Sequence, residues 1–382
     1  MKSKTPEISI ILPCLNEEKS IKKCIEEIKE VIDQNKLDAE LIIVDNNSTD
    51  NSVKIIKENI EGIDAKLISQ EIRGYGATYI KGFDHAKGKY IFIADSDGSY
   101  DFKEIPKFIN ELKLGYDFVI GNRFNDKMGK KAMPALHKYI GNPLLSGILR
   151  LFYGAKVKDC HCGMRAIKKE ALEKLNLQTT GMEFASEMIV KAGKEKLKIK
   201  ELPITYSQRI GESKLRSWSD GWRHLRFMLI YSPLWLFFLP GLILTLLGIE
   251  SLIAFYFNLI PQINPNSYHP MFLSIIGIIT GYQLIIFSIF AKTYAINHLQ
   301  DKPIFNKFYK YLTIERASIM GIGIILTGII MYTTTFMNWV SGNFNPIIET
   351  KKSIIALTII TLGIQSIFSS FMLSILGIKE KR

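Results

Sequence analysis

In the first 233 residues of this chain, short apolar runs alternate with longer stretches in which apolar residues recur at helical spacing. Five short apolar runs have the length and side chains of buried strands, at residues 8–12, 41–44, 66–68, 90–94 and 118–120. Four longer stretches between them have helical periodicity, at residues 19–34, 52–59, 76–86 and 105–114. This alternation predicts an α/β domain with a doubly wound, mostly parallel sheet that binds ligands at the carboxyl ends of its strands.

Four long runs in the rest of the chain carry almost no charge. They cover about residues 234–257, 271–291, 317–337 and 353–377. Each is long enough to cross a membrane as a helix, so we expect an all-helical membrane domain over residues 234–382. Glu250 is the only charged residue in these runs. We interpret it as an acid that packs between helices or reaches the interface, in preference to a functional group.

The segment before the first long run is amphipathic. Trp218, Trp222, Leu225 and Leu229 recur at helical spacing, and the nearby arginines lie off that stripe. This pattern predicts a helix over residues 216–233 that lies in the headgroup layer of a membrane. The α/β domain would then occupy residues 1–215.

The charged residues predict a membrane orientation. The formal net charge is +12, and the segment 292–316 holds five Lys or Arg whereas the segment 258–270 holds none. Because basic loops face the cytoplasm, we expect the α/β domain and both termini to be cytoplasmic.

A basic chain with an apolar second half favours an anionic membrane surface or phosphate-bearing substrates over nucleic acid. No tract interleaves basic and aromatic residues as single-strand binding requires.

The four cysteines are Cys14, Cys24, Cys160 and Cys162. So few cysteines favour a reducing compartment, and the first apolar run is too short for the core of a signal peptide. The triplet Cys160-His161-Cys162 has no second cysteine pair to complete a zinc site. We interpret it as a reduced, packed segment.

Polar residues follow the second and fourth predicted strands. Asp45 can accept hydrogen bonds from a base or ribose, and Asp50 is assigned to capping the next helix. In Asp95-Ser96-Asp97, two carboxylates converge beyond a buried strand, which suits Mg²⁺ held together with substrate phosphates. The first strand is followed by no glycine-rich turn and the chain has no P-loop, which argues against those two kinds of nucleotide site.

Several motifs resemble those of family 2 glycosyltransferases with the GT-A, nucleotide-diphospho-sugar transferase fold. They lie at residues 11–17, 44–50, 95–97 and 121–123. Residues 159–165, 181–187 and 209–214 resemble, more narrowly, dolichyl-phosphate mannose synthase-like enzymes. The resemblance implies an inverting hexosyltransferase that moves a sugar from a UDP- or GDP-linked donor to a dolichyl or undecaprenyl phosphate. A homo-oligomer is left open.

The resemblance also implies a role for each matching residue. The nucleoside would be held by Pro13, Leu15, Glu17 and Asp45. Mg²⁺ or Mn²⁺ would be held at the donor diphosphate by Asp95 and Asp97, although relatives often have Gln where Ser99 stands. Phosphates of the donor would be bound by Arg209 and Lys214, and the acceptor by Arg123, Arg165 and Ser213.

The candidates for direct catalysis are Asp97, Arg123 and Asp159. A phosphate acceptor is already largely ionised near neutral pH, so the demand for a general base is weak. If there is one, Asp159 is preferred, with Glu183 and Glu187 in reserve; packing on a helix would also explain that last pair.

Two other functions fit the same pattern. A processive polysaccharide synthase would share the fold and a membrane tail, but its Gln-x-x-Arg-Trp motif is absent from the sequence. A non-catalytic membrane scaffold with a transferase-like domain would not need the intact Asp95 and Asp97.

Overall fold

The computed structural model describes residues 5–125, 128–129, 132–155, 157–211, 217–260, 267–298, 314–342 and 345–377. The chain divides into two compact units, Met1–Met228 and Leu229–Arg382. The first unit is α/β and the second is helical.

The first unit contains a seven-stranded sheet with helices before and after its strands. The strands are β1 Ile8–Cys14, β2 Ala39–Asp45, β3 Ala65–Ser69, β4 Tyr90–Ile93, β5 Phe118–Asn122, β6 Arg165–Lys168 and β7 Ile199–Pro203. The helices are α1 Ile21–Gln34, α2 Ser52–Asn59, α3 Tyr75–His85, α4 Ile105–Lys113, α5 Asn142–Tyr153, α6 Lys169–Leu175, α7 Phe184–Lys194 and α8 Ser217–Ile230. The predicted order of strands and helices up to α4 is confirmed, with bounds that differ by at most two residues.

The strand order is β3-β2-β1-β4-β6-β5-β7. All neighbouring strands are parallel except β6, which is antiparallel to both β4 and β5. This strand was not predicted, because its four residues, of which Arg165 and Lys168 are charged, have no apolar run. The mixed sheet confirms the α/β fold class and its mostly parallel character.

The register brings several polar segments to one edge of the sheet. Cys14 pairs with Asp45 at the carboxyl ends of β1 and β2, and Ile93 ends β4 on the same side. Because β6 runs in the opposite direction, it begins at this edge, where Arg165 pairs with Ile93. The segment that leads into β6 therefore meets the carboxyl ends of the parallel strands.

Helix α2 begins as predicted. The Asp50 carboxylate accepts a hydrogen bond from the backbone N–H of Ser52 at 2.9 Å and a second from that of Glu18 at 3.1 Å. These bonds satisfy an N–H at the helix start and tie it to the loop after β1.

In its described residues, the second unit contains four long helices. They are α9 Leu239–Tyr256, α10 His269–His298, α11 Ile314–Val340 and α12 Pro346–Gly377. Each lies in a segment long and apolar enough to cross a membrane, with mean hydropathy between 1.8 and 2.1. The four predicted apolar helices are therefore present.

Glycines allow these helices to pack closely. A Cβ at Gly241 would lie 2.7 Å from the carbonyl oxygen of Gly281, and one at Gly363 would lie 2.9 Å from that of Gly321. Small residues at such positions let helix backbones approach in a membrane. Glu250 is exposed on α9, so packing between the described helices of this unit does not account for it, and its position at the interface stays a prediction.

Candidate active site

A cavity of about 600 Å³ opens at the carboxyl edge of the sheet. Seven residues predicted for the site line it: Pro13, Leu15, Glu17, Asp95, Asp97, Arg123 and Arg209. Asp45, Asp159 and Arg165 do not line it, and Ser213 and Lys214 lie outside the described residues. The structure thus gathers most of the predicted residues around one space.

Asp95 is oriented by two tyrosines of α3. The hydroxyl of Tyr75 donates to Asp95 Oδ1 at 2.9 Å, and that of Tyr79 at 3.3 Å. Burial, and then the nearby charge of Asp97, raise the pKa of Asp95 to about 6. On the other side, a Cβ at Gly163 would clash with Asp95 Oδ2. Glycine is therefore required at that position to leave the carboxylate in place.

Asp97 is 7% exposed and is held by the loop that carries it. Its Oδ1 accepts hydrogen bonds from the backbone N–H of Ser99, at 2.9 Å, and from the Ser99 hydroxyl. Its Oδ2 lies 3.2 Å from Nη2 of Arg209. Ser99 is buried and orients Asp97, and it does not line the cavity.

Arg123 presents its guanidinium to the cavity from a buried ion pair. Its Nε and Nη2 each donate to an oxygen of Asp159 at 2.8 Å. The guanidinium Cζ lies over the ring of Tyr206, 5.2 Å from its centre. Although burial lowers it, the charge of Asp159 raises the pKa of Arg123 well above its usual range. Arg123 is therefore a fixed cation at the cavity wall.

Asp159 itself is fully buried. Both of its oxygens are engaged by the Arg123 side chain, and Oδ2 also accepts the backbone N–H of Arg123 at 3.0 Å. These contacts leave the carboxylate facing Arg123 and away from the cavity.

The loop after β2 borders the cavity through Asn46 instead of Asp45. The Asp45 carboxylate accepts the backbone N–H of Ser48 at 3.3 Å. The Asn46 side chain donates to the carbonyl oxygens of Gln70 and Ile72 and accepts the N–H of Gly74 at 2.8 Å. Asn46 thereby connects the ends of β2 and β3 to the start of α3.

Two histidines form a polar edge that the sequence analysis did not predict. The Ser186 hydroxyl lies 3.2 Å from His161 Nε2 and 2.8 Å from His224 Nδ1, and both rings line the cavity. Burial lowers the pKa of His224 to about 4 and that of His161 well below its usual range. Both are therefore neutral near pH 7. These residues come from three distant segments, so no local pattern could have linked them.

Other candidates from the sequence hold loops together. The buried Glu187 accepts the backbone N–H groups of Gln178 and Thr179, at 3.0 and 2.9 Å. The Arg165 side chain, 1% exposed, donates to the carbonyl oxygens of Cys160, Cys162 and Ala185. Glu183 does not line the cavity, and its Oε2 is buried with no hydrogen-bond partner among the described residues.

The side chains at the cavity suit a metal ion that takes part of its ligands from the protein and the rest from a substrate. Within the described residues, no group of three or more His, Cys, Asp or Glu side chains is arranged to hold an ion. Asp95 and Asp97 supply two carboxylates at the cavity wall. Mg²⁺ commonly takes one or two carboxylates and completes its shell with water and substrate phosphates, so the residues present fit such an ion.

Comparisons with known proteins give the following relatives. Residues 9–176 match the model of glycosyl transferase family 2, and residues 289–377 match that of the glycosyltransferase family 2 C-terminal transmembrane region. The chain is 36% identical over 375 residues to the low-salt glycan biosynthesis hexosyltransferase Agl6 of Haloferax volcanii, across 97% of this chain and 89% of Agl6. A dolichyl-phosphate hexose transferase of that organism is 32% identical over 132 residues, which are 34% of this chain and 56% of the relative.

Among solved structures, glucosyl-3-phosphoglycerate synthase from Mycobacterium tuberculosis, in complex with Mn²⁺, UDP and glucosyl-3-phosphoglycerate, is similar to part of the chain. It is 20% identical with a TM-score of 0.48, and the match covers 59% of this chain and 80% of that chain.

Proposed function

This chain belongs to glycosyltransferase family 2 and is a glycosyltransferase of the membrane, and from that premise we propose that it transfers a hexose from a nucleoside diphosphate donor to a polyprenyl phosphate. The observation that carries the proposal is the pairing of Asp95 and Asp97 with two arginines, Arg123 and Arg209, around one cavity. Two carboxylates suit a cation, and two guanidinium groups suit the phosphates of a donor and an acceptor.

The donor would occupy the side of the cavity at the carboxyl ends of β1 and β4. Asp95 and Asp97 would hold Mg²⁺ or Mn²⁺, which when bound neutralises the diphosphate as a leaving group. Arg209 would bind a phosphate oxygen. Pro13, Leu15 and Glu17, which line the cavity, would contact the nucleoside, a UDP or a GDP moiety, while Asp45 would order the loop that carries Asn46.

The acceptor would bring its phosphate to Arg123. A lipid acceptor is supported by apolar side chains that the first unit exposes near the cavity. Leu144 on α5 is 59% exposed and Trp222 on α8 is 59% exposed, while Leu145 and His224 on the same two helices line the cavity. The relative named dolichyl-phosphate hexose transferase supports the same class of acceptor.

The reaction would be a single displacement. A phosphate oxygen of the lipid attacks the anomeric carbon, the bond from that carbon to the diphosphate oxygen breaks, and the nucleoside diphosphate leaves with the electron pair. The anomeric centre is inverted. Since a phosphate monoester has its second pKa at about 6, its oxygen is already ionised near pH 7. We therefore assign Asp159 to positioning Arg123, and most of the rate would come from orientation and charge neutralisation.

The catalytic unit and both termini would lie in the cytoplasm. Support comes from the five basic residues in the segment 292–316 and the lack of any in the segment 258–270, because cytoplasmic loops carry the excess of Lys and Arg.

The test is transfer of radiolabel from a panel of nucleotide sugars to polyprenyl phosphate, with Mn²⁺, followed by organic extraction. We expect one donor to label the lipid, EDTA to abolish the labelling and Asp97→Asn to reduce it at least about a hundredfold while nucleotide binding measured without Mn²⁺ persists. Asp101→Asn is the matched control, because Asp101 lies in the same loop, outside the cavity lining, and should keep its labelling.

Three outcomes would contradict the proposal. Undiminished labelling in excess chelator would remove the metal role of Asp95 and Asp97. A polymer in place of a lipid with one sugar would indicate a processive synthase. Binding of Mn²⁺ and nucleotide with no consumption of any donor would indicate a scaffold.

A further inference from the structure

Arg209 lies where a cation would sit at the donor side of the cavity. Its Nη2 is 3.2 Å from Asp97 Oδ2 and 3.7 Å from Glu17 Oε1. Its Nε is buried and has no hydrogen-bond partner among the residues that the structure describes. The guanidinium is thus held by charge, with one buried donor left unsatisfied.

The backbone around Arg209 is fastened to the loop that carries Asp97. The N–H of Ile210 donates to the carbonyl oxygen of Asp97 at 2.8 Å, and that of Ser207 donates to the carbonyl oxygen of Ser99 at 2.9 Å. Ile210 also packs over Gly98, where a Cβ would lie 2.8 Å from Ile210 Cδ1. Any change in the position of the guanidinium therefore calls for rotation of the side chain and leaves the backbone anchored.

The guanidinium and a divalent cation need the same oxygen. Both hydrogen bonds from Ser99 go to Asp97 Oδ1, so Oδ2 is the oxygen left to a cation, and it already contacts Arg209. Two cations this close repel each other, most strongly where water is excluded. A diphosphate would shift the competition for Asp97 in favour of the metal. Its oxygens can accept hydrogen bonds from Nε and Nη2 of Arg209 together, in the planar geometry that guanidinium favours.

We propose that Arg209 acts as a surrogate cation of the donor site, neutralising Asp97 and Glu17 until the metal and the donor diphosphate arrive together. The inference rests on the proposed function and adds a rule for the order of binding. The metal alone has to compete with Arg209, whereas the metal with a diphosphate gives Arg209 a new anionic partner. Metal and nucleoside diphosphate therefore bind cooperatively, each strengthening the other by the same factor.

The experiment measures Mn²⁺ binding to the detergent-solubilised full chain, from the electron paramagnetic resonance signal of free Mn²⁺. Titrations are made with no nucleotide, with UDP and with GDP. In the wild type, one of the two nucleotides should tighten Mn²⁺ binding at least about tenfold, a typical coupling. In Arg209→Gln, Mn²⁺ alone should bind about tenfold more tightly than in the wild type, and the tightening by nucleotide should largely disappear.

Arg73→Gln is the matched control. Arg73 also lines the cavity, so its removal takes the same charge from the same space without touching the contact to Asp97. It should change the affinity for Mn²⁺ alone less than about twofold. Arg209→Lys keeps the charge and should keep the weak Mn²⁺ binding of the wild type.

The direction in which Arg209→Gln changes the affinity for Mn²⁺ distinguishes the proposal from its alternatives. If Arg209 is only a ligand of the diphosphate, Arg209→Gln leaves the affinity for Mn²⁺ alone unchanged, and that result overturns the proposal. Weaker Mn²⁺ binding in a variant with the wild-type melting temperature overturns it as well. The wild-type titrations test the proposal independently of any variant. If UDP and GDP both leave Mn²⁺ binding to the wild type unchanged, the proposal is contradicted. Intact coupling in a protein that transfers no sugar would instead contradict the proposed function.

Discussion

At the scale of single residues, three aspartates predicted for the site have different environments. Asp95 and Asp97 face the cavity, whereas Asp159 is fully buried against Arg123. A buried ion pair with both oxygens engaged is poorly suited to accept a proton from a substrate, since the carboxylate would first have to leave its partner. The same geometry is well suited to keep the guanidinium of Arg123 in one orientation.

This difference predicts the effect of Asp159→Asn. An amide has no charge and only one oxygen, so it cannot hold both nitrogens of Arg123. We expect the KM for polyprenyl phosphate to rise by one to two orders of magnitude, which corresponds to the roughly 1.5–3 kcal/mol of a charge-assisted hydrogen bond. The free energy of unfolding should fall by about 3–5 kcal/mol, as for other broken buried pairs.

The measurements are steady-state kinetics at several pH values and a thermal melt. A positioning role leaves the shape of the pH–rate profile unchanged. A fall in kcat with KM unchanged, together with loss of the acidic limb of the profile, would identify Asp159 as a general base after all.

At the scale of elements, helix α8 has different environments on two faces. Trp218 and Trp222 of the apolar stripe predicted for residues 216–233 are exposed, whereas Leu225 and Leu229 of that stripe are half-buried. Its contact with a headgroup layer stays a prediction. His224 on the same helix is buried against Ser186 of α7 and lines the cavity. The local sequence pattern could not predict the cavity face, because that face depends on a contact between residues 38 positions apart.

The buried histidine makes the attachment of α8 sensitive to pH. Burial lowers the pKa of His224 to about 4, against about 6.5 in an unfolded chain. Above pH 6.5 the ring is neutral in both the folded and the unfolded chain, and as the pH falls from 6.5 towards 4 the unfolded chain takes up a proton that the folded one does not. The free energy of unfolding should therefore fall by up to about 3 kcal/mol across this window.

Hydrogen exchange of α8 between pH 7 and 5 measures this effect. Protection should decrease with falling pH, after correction for the intrinsic exchange rates. His224→Gln removes the titrating group and should flatten the dependence. An equally steep dependence in that variant would assign the effect to other groups, of which His161 is the nearest.

At the scale of the whole molecule, an α/β unit carries the cavity and a helical unit carries the membrane spans. The proposed orientation places the segment 292–316 in the cytoplasm and the segment 258–270 on the opposite side. Cysteine labelling can test this orientation with little background, because the four native cysteines are at most 1% exposed.

The prediction concerns two single-cysteine additions. Ser267→Cys, in the segment without basic residues, should react with a membrane-impermeant maleimide in intact cells. Lys307→Cys, in the basic segment, should react only after the cells are permeabilised. The wild type is the control and should give little labelling under both conditions. The reverse pattern would invert the orientation and place the catalytic unit outside the cytoplasm.

The order of elements up to α4, the four apolar helices and the position of Asp95 and Asp97 at a strand end could all be predicted from the sequence. Each depends on local periodicity or on the rule that parallel strands present their carboxyl ends at one edge. The antiparallel β6 could not, because its few residues have no pattern of their own and are chosen by the strands beside them.

The finer features of the site were decided by the tertiary structure alone. Arg123 meets Asp159 across 36 positions, Tyr75 meets Asp95 across 20, and Ser186 joins His161 to His224. Such contacts come from the packing of distant segments at one edge of the sheet. The sequence by itself determined which carboxylates reach that edge, since strand ends are set locally; the tertiary structure decided which charge each one faces, and therefore whether it binds a ligand or positions a neighbour.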